Sequence, residues 1–232
     1  MNRVRLVVAG RQDSAAAALV TRWGPQQAAL VTPADLSRPG WAHRVGAPGE
    51  ATAAVGDRVI PADEVSAVIV RLAGVEESEL THLRPEDRGY AAAEMTAFLL
   101  AWLDDRSCPV LNRPTPGCLN GPPWHPEQWA LAAARAGLRV IPSHRRVPPN
   151  GVAPPAPEVI ATLVGERCLG PVHPQVATRI RRLAAATDVV VLAVRLTDSG
   201  AGAAFIGAST WPDLADPAVA DALDAHLEAA AC

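Results

Sequence analysis

Arg71, Asn112 and Arg113 are the residues whose types and places in the chain could do chemistry. Each falls at the C-terminal end of an apolar run, Val65 to Leu72 or Cys108 to Leu111, that reads as a buried strand. In an open α/β sheet that edge is where ligands bind. A guanidinium there can hold a carboxylate by two parallel hydrogen bonds, and an amide beside it can both donate and accept. The structural alternative pairs Arg71 with Glu94 or Asp87 and makes Asn112 the cap of a turn. A second constellation lies in the loop Thr115 to His125, where Cys118 stands seven residues before His125. A thiol and an imidazole could serve as nucleophile and base, although no third group to orient them is identifiable. The same loop also reads as a Pro/Gly-stiffened turn in which Trp124 fills the core and His125 opens a helix.

Composition removes several mechanisms. The 232 residues include no lysine, so all 21 basic side chains are arginine. A P-loop needs a lysine on the nucleotide phosphates, and Schiff-base catalysis needs a lysine amine. Arginine stays protonated, so it can clamp an anion but cannot act as a base. The net charge of -3 leaves no basic field for nucleic acid or acidic lipid, and the Arg179, Arg181, Arg182 group reads as the solvated face of a helix. Cys108, Cys118, Cys168 and Cys232 have no CxxC spacing, and His43, His82, His144 and His173 have no ligand spacing, so no metal is expected. No apolar run is long enough to span a bilayer, and the opening residues read as a strand rather than a signal peptide. A cytoplasmic protein with free thiols is the expectation.

The elements that must position these residues follow from the hydrophobic pattern. Val4 to Ala9, Ala28 to Val31, Val65 to Leu72, Cys108 to Leu111 and Arg139 to Ile141 read as strands. Between them fall an alanine-rich helix capped by Asp13 or Ser14 and running to about Trp23, helices from Arg84 to about Asp105 and from Pro126 to Ala136, and a hairpin turning at Gly56-Asp57. This alternation predicts an α/β class with a parallel Rossmann-like sheet over residues 1–146. Residues 147–157 hold five prolines and read as an extended linker. Residues 158–232 predict a smaller α+β subdomain: a hairpin turning at Gly165-Glu166, a helix from Pro174 to Ala186, an antiparallel pair joined by Asp198-Ser199-Gly200, and a last helix opened by Asp216-Pro217.

Two blocks carry a family likeness. The first comprises Val68-Ile69-Val70-Arg71, then Arg88, Tyr90 and Glu94, then Pro109 to Pro114, Trp124, Trp129 and Ala136 to Pro142. It resembles the N-terminal, pre-ATP-grasp domain of ATP-grasp ligases. The second comprises Val164 to Gly170, Arg182-Leu183-Ala184, Val189 to Leu196 and Trp211 to Leu214, and it resembles the closing part of the ATP-grasp core. The resemblance implies a groove for an acid or peptide substrate and adds Arg88 to the ligand-binding set of Arg71, Asn112 and Arg113. It also implies a lysine-bearing lid and a long β-rich segment between the blocks, where this chain has only the Pro-rich stretch. Metal-binding carboxylates are implied on the last strand pair in the pattern Glu-x-Asn, but this chain reads Gly207-Ala208-Ser209-Thr210-Trp211 there. Magnesium on ATP needs carboxylates beside the phosphates. The expectation is therefore a degenerate ATP-grasp-like protein without cofactor. It would be a partner or substrate-binding subunit of a carboxylate–amine ligase or another modifying enzyme in peptide or natural-product biosynthesis, taking a carboxylate-bearing small molecule or a peptide. The alternative is a small enzyme of new chemistry at Cys118 and His125. Six of the nine aromatics are Trp. Trp102 reads as core, and Trp41 and Trp211 are candidate contacts to a protein partner or a second copy, the other reading being simple packing.

Overall fold

The computed structural model describes residues 3–141 and 159–230. The chain forms two compact units, Met1–Pro123 with Asp213–Cys232, and Trp124–Pro212.

The first unit opens with β1 (Val4–Ala9), a Val/Leu run buried on both faces, as an interior parallel strand must be. Asp13 caps α1 (Ser14–Trp23) by accepting the Ala16 N–H at 2.9 Å, and four consecutive alanines carry the helix forward. β2 (Ala28–Val31) follows, then a hairpin of β3 (Thr52–Val55) and β4 (Arg58–Pro61) that turns at Gly56-Asp57. β5 (Val65–Arg71) leads to α2 (Pro85–Asp104), whose first turn carries Pro85, Glu86 and Asp87 as the helix dipole favours. β6 (Val110–Leu111) completes a parallel sheet of order β2-β1-β5-β6. Leu6, Val8, Val68 and Val70 point to one face, where Ile60 of the hairpin and Leu99, Trp102 and Leu103 of α2 close the core.

The second unit begins with α3 (Pro126–Arg135), which Gly137 ends at φ +87°. Then come β7 (Arg139–Val140), β8 (Val159–Val164), β9 (Arg167–Leu169), α4 (Pro174–Ala186), β10 (Val191–Leu196) and β11 (Ala204–Ser209). The sheet order is β7-β11-β10-β8-β9, antiparallel except for β7 on β11. Its core joins Leu163, Leu192, Val194 and Phe205 to Trp129, Ile180 and Leu183. Gly170, just past β9, has φ +104°, and a Cβ there would stand 2.7 Å from the Ile160 carbonyl oxygen. Gly170→Ala is therefore expected to lower stability by about 2 kcal/mol, read as a lower urea midpoint; an unchanged midpoint would contradict this packing.

The chain then returns to the first unit with α5 (Pro217–Ala230), started by Asp216 accepting the Ala218 N–H at 2.8 Å. Asp224 pairs with Arg5 of β1, and Asp221 pairs with Arg22 of α1.

The observed class is the expected one, a parallel α/β sheet with a smaller α+β unit. Two elements belong elsewhere than the linear division at 146 and 158 suggests. β7 joins the antiparallel sheet rather than the parallel one, and α5 packs with the first unit. A two-residue strand carries no local sign of its partner, and the Arg5–Asp224 pair links residues 219 positions apart. The Pro-rich stretch 147–157 lies outside the described residues. Among the described residues no helix is long and apolar enough to cross a membrane.

Candidate functional site

The C-terminal edge of the parallel sheet brings together the ends of β1, β5 and β6. Arg71 closes β5 in register with Ala9 of β1. Its Nε donates to Asp13 Oδ2 at 2.6 Å while Asp13 Oδ1 caps α1, so one carboxylate ties β5 to the start of α1. Both side chains are largely buried, and the acidic partner is Asp13 rather than Glu94 or Asp87. Asn112 follows Leu111, which pairs with Ile69, two residues before Arg71. Asn112 is only 1% exposed. Asn120 Oδ1 lies 3.5 Å from both its backbone N and its Nδ2. Arg113 is exposed and makes no hydrogen bond or ion pair among the described residues. Arg88 donates to the Leu83 carbonyl at 3.1 Å and the Thr81 carbonyl at 3.2 Å, holding the loop that enters α2. Of the four arginine and asparagine candidates, Arg113 is the one that is exposed.

Two residues at this edge are not singled out by the sequence. Asn120 sits in the Thr115–His125 loop, and Leu119 N–H donating to the Ala73 carbonyl at 2.9 Å fastens that loop to the exit of β5. Glu79 reads in sequence as part of an acidic helix start. The structure has a 3-10 turn over Glu77–Glu79, and from it Glu79 Oε2 accepts the Arg11 N–H at 3.2 Å, beside Gly10, where a Cβ would come within 2.7 Å of Oε1. The lack of a side chain at residue 10 is the one local signal for that approach.

Cys118 is 7% exposed in the first unit, where Thr115 and Cys118 exchange backbone hydrogen bonds of 2.8 and 3.0 Å. His125 belongs to the second unit as the exposed N-cap of α3, and its N–H donates to Gln128 Oε1 at 2.9 Å. Each therefore has a place in local chain architecture. Trp41 packs edge-on against Phe98 and Trp102 at centroid distances of 5.7 and 5.6 Å and donates Nε1–H to the Asp35 carbonyl at 2.9 Å, so its indole serves the core. Trp211 is 41% exposed.

Under the end of α2 lies a desolvated cluster. Arg106 is 4% exposed, stacks 4.6 Å from the Trp102 ring centroid and donates Nε–H to the Trp102 carbonyl at 2.9 Å. Burial lowers its pKa, and burial likewise pushes the Cys108 thiol up. Arg106 Nη2, Asp105 Oδ2 and His43 Nδ1 are buried without hydrogen-bond partners, the last two 4.0 Å apart.

No group of three or more His, Cys, Asp or Glu among the described residues is placed to hold a metal ion. The carboxyl of Asp198 is held below the usual carboxylate range, first by the Thr197 hydroxyl at 2.8 Å and then by the Gly200 N–H at 2.8 Å. It shapes the turn between β10 and β11.

Comparison with solved structures shows that this α/β fold is similar to that of ATP-grasp ligases. The macrocyclase MdnC bound with precursor peptide MdnA from Microcystis aeruginosa MRC superposes with a TM-score of 0.63 at 13% identity, covering 94% of this chain and 98% of that one. A RiPP-associated ATP-grasp ligase from Chryseobacterium gregarium, in complex with ADP and a leader and core peptide, gives 0.65 at 10% identity over 98% and 97%. The ATP-grasp ligase PsnB, complexed with a phosphomimetic variant of its minimal precursor, Mg and ADP, gives 0.63 at 12% identity over 97% and 99%. At these identities the likeness is one of fold. No protein-family model matches the chain, and no curated protein does.

Proposed function

We propose that this chain is a non-catalytic ATP-grasp-like protein, a partner or substrate-binding subunit that works beside a carboxylate–amine ligase or another modifying enzyme in peptide or natural-product biosynthesis. The observation that carries the reading is chemical. The chain has no lysine for a nucleotide's phosphates, and residues 207–211, where the family resemblance implies metal-binding carboxylates, contain none. In this reading the phosphate-handling segment is missing from between the two blocks and the groove-forming scaffold is retained. Arg113 is the contact for a ligand carboxylate, with Arg71, Asn112 and Arg88 holding the sheet edge and loops around it. The precursor peptides in the structural neighbours support a peptide as the bound species.

A coupled assay for ADP release tests this. The purified chain with magnesium, ATP and a carboxylate–amine substrate pair is expected to stay at the buffer background. ADP release that scales with the chain's concentration would contradict the reading.

A further inference from the structure

Charge divides unevenly between the two units. The stretch Trp124–Pro212 holds nine arginines against five carboxylates, while the remainder holds twelve against nineteen. Within the second unit, Arg181 pairs with Glu166 and Arg139 acts electrostatically on Asp198, but Arg135, Arg179 and Arg182 make no ion pair or side-chain hydrogen bond among the described residues.

These arginines gather at one place. Arg135 lies in the last turn of α3, and Arg139 follows the Gly137 stop. A Cβ on Gly137 would stand 3.9 Å from Arg179 Cγ and 4.0 Å from its Nε, so Arg179 of α4 lies beside the exit of α3. On α4, Arg179, Arg182 and Ala186 follow the i, i+3, i+7 spacing of a single helix face. On α3, Gln128, Leu131 and Arg135 do the same. Between the two helices runs a cleft of about 250 Å³ lined by Trp124, Gln128, Leu131, Ala132, Arg135 and Ala186. Leu131 is 53% exposed there, on a helix face with nothing covering it among the described residues.

The groove is thus apolar at one end and cationic at the other. Small-molecule clefts run to roughly 300–1,000 Å³, so this one suits a single large apolar side chain. Several separated guanidinium groups match several carboxylates along a chain better than the single head group of a fatty acid, and charge complementarity of this kind sets partner choice and orientation.

We propose that the α3–α4 groove docks an acidic protein segment, with one large apolar side chain between Trp124 and Leu131 and carboxylates on Arg135, Arg179 and Arg182. This rests on the reading of the chain as a partner-binding subunit, and it assigns the surface used. It is built from residues of the second unit, whereas Arg113 belongs to the first.

The test uses the whole chain and a short fluorescein-labelled glutamate-rich peptide with a central leucine, followed by anisotropy. Controls are the same peptide with serine for leucine, and one with lysine for glutamate. The expected result is saturable binding to the wild type, weakened ~tenfold by Arg135→Glu with Arg182→Glu and weakened similarly by Leu131→Ser or by the serine peptide. Both arginines are exposed, and the circular dichroism spectrum confirms that the variants fold. Absence of binding, equal binding of the lysine peptide, or indifference to the Arg135 and Arg182 changes would overturn the proposal. So would full displacement by decanoate, which would make the groove an acyl site. Concentration-dependent self-association abolished by the same arginine changes would equally overturn it, assigning the groove to a second copy. The ADP assay on the same samples reads the underlying function separately. Turnover there would overturn the non-catalytic reading even where the peptide binds, and failed peptide binding with no turnover would overturn the groove alone.

Discussion

Trp102→Ala should lower the stability of the first unit by about 4 kcal/mol, read as a large fall in the urea midpoint by circular dichroism. The indole is fully buried in the core that joins α2 to the parallel sheet. It supports Trp41 edge-on at 5.6 Å, and its ring carries the Arg106 guanidinium at 4.6 Å. Truncation therefore opens a cavity and removes the aromatic face that stabilises a desolvated cation. Arg106 is 4% exposed and already has one unpartnered Nη2, so it has little water to fall back on. Trp102→Phe keeps a face for the cation and most of the volume and should cost clearly less. A change below about 1 kcal/mol for the alanine variant would mean that the core is not closed by α2 in this way.

Arg71→Met is the second large effect, and it bears on what the sheet edge is for. Arg71 and Asp13 are 10% and 14% exposed and meet at 2.6 Å. Removing one partner of a buried pair leaves the other uncompensated, at a cost of roughly 3–5 kcal/mol. Asp13→Asn should also destabilise, and the double variant should lose less than the two single losses together, with a coupling of roughly 1–3 kcal/mol. Arg113→Ala, by contrast, removes an exposed cation without a partner and should stay within about 0.5 kcal/mol of the parent. Thermodynamic cycles from denaturant unfolding supply all four values. If Arg71→Met proves as neutral as Arg113→Ala, Arg71 is not the structural tie described above, and it regains its standing as a ligand contact free to turn into the groove.

The contrast between these two arginines marks how far the sequence is legible. Local elements were legible because local physics makes them. Asp13 before four alanines, Gly56-Asp57 between apolar pairs, and Asp216-Pro217 before a long alanine-rich run each carry their own start or stop signal. The strand ends that display Arg71 and Asn112 were legible for the same reason. What those side chains touch was not. The tie from Arg71 to Asp13 spans 58 residues, and no periodicity distinguishes Asp13 from Asp87 as the partner. Asn120 and Glu79 reach the edge through loop paths that leave no pattern beyond a glycine at residue 10. Cys118 and His125 are close in sequence yet belong to different units, which spacing alone does not reveal. Arg179, Arg181 and Arg182 read as a solvated helix face because Arg179 comes beside the exit of α3 only once α3 and α4 are packed.

The comparisons bear on the fold at 10–13% identity, and the proposed loss of phosphate handling rests on the residues themselves. Isothermal titration calorimetry of the chain with magnesium–ATP, carried to millimolar nucleotide, tests that most directly. Heats indistinguishable from dilution, with or without magnesium, are the expected result. A saturable, magnesium-dependent heat at one site per chain would contradict it, because arginines alone would then be holding the nucleotide.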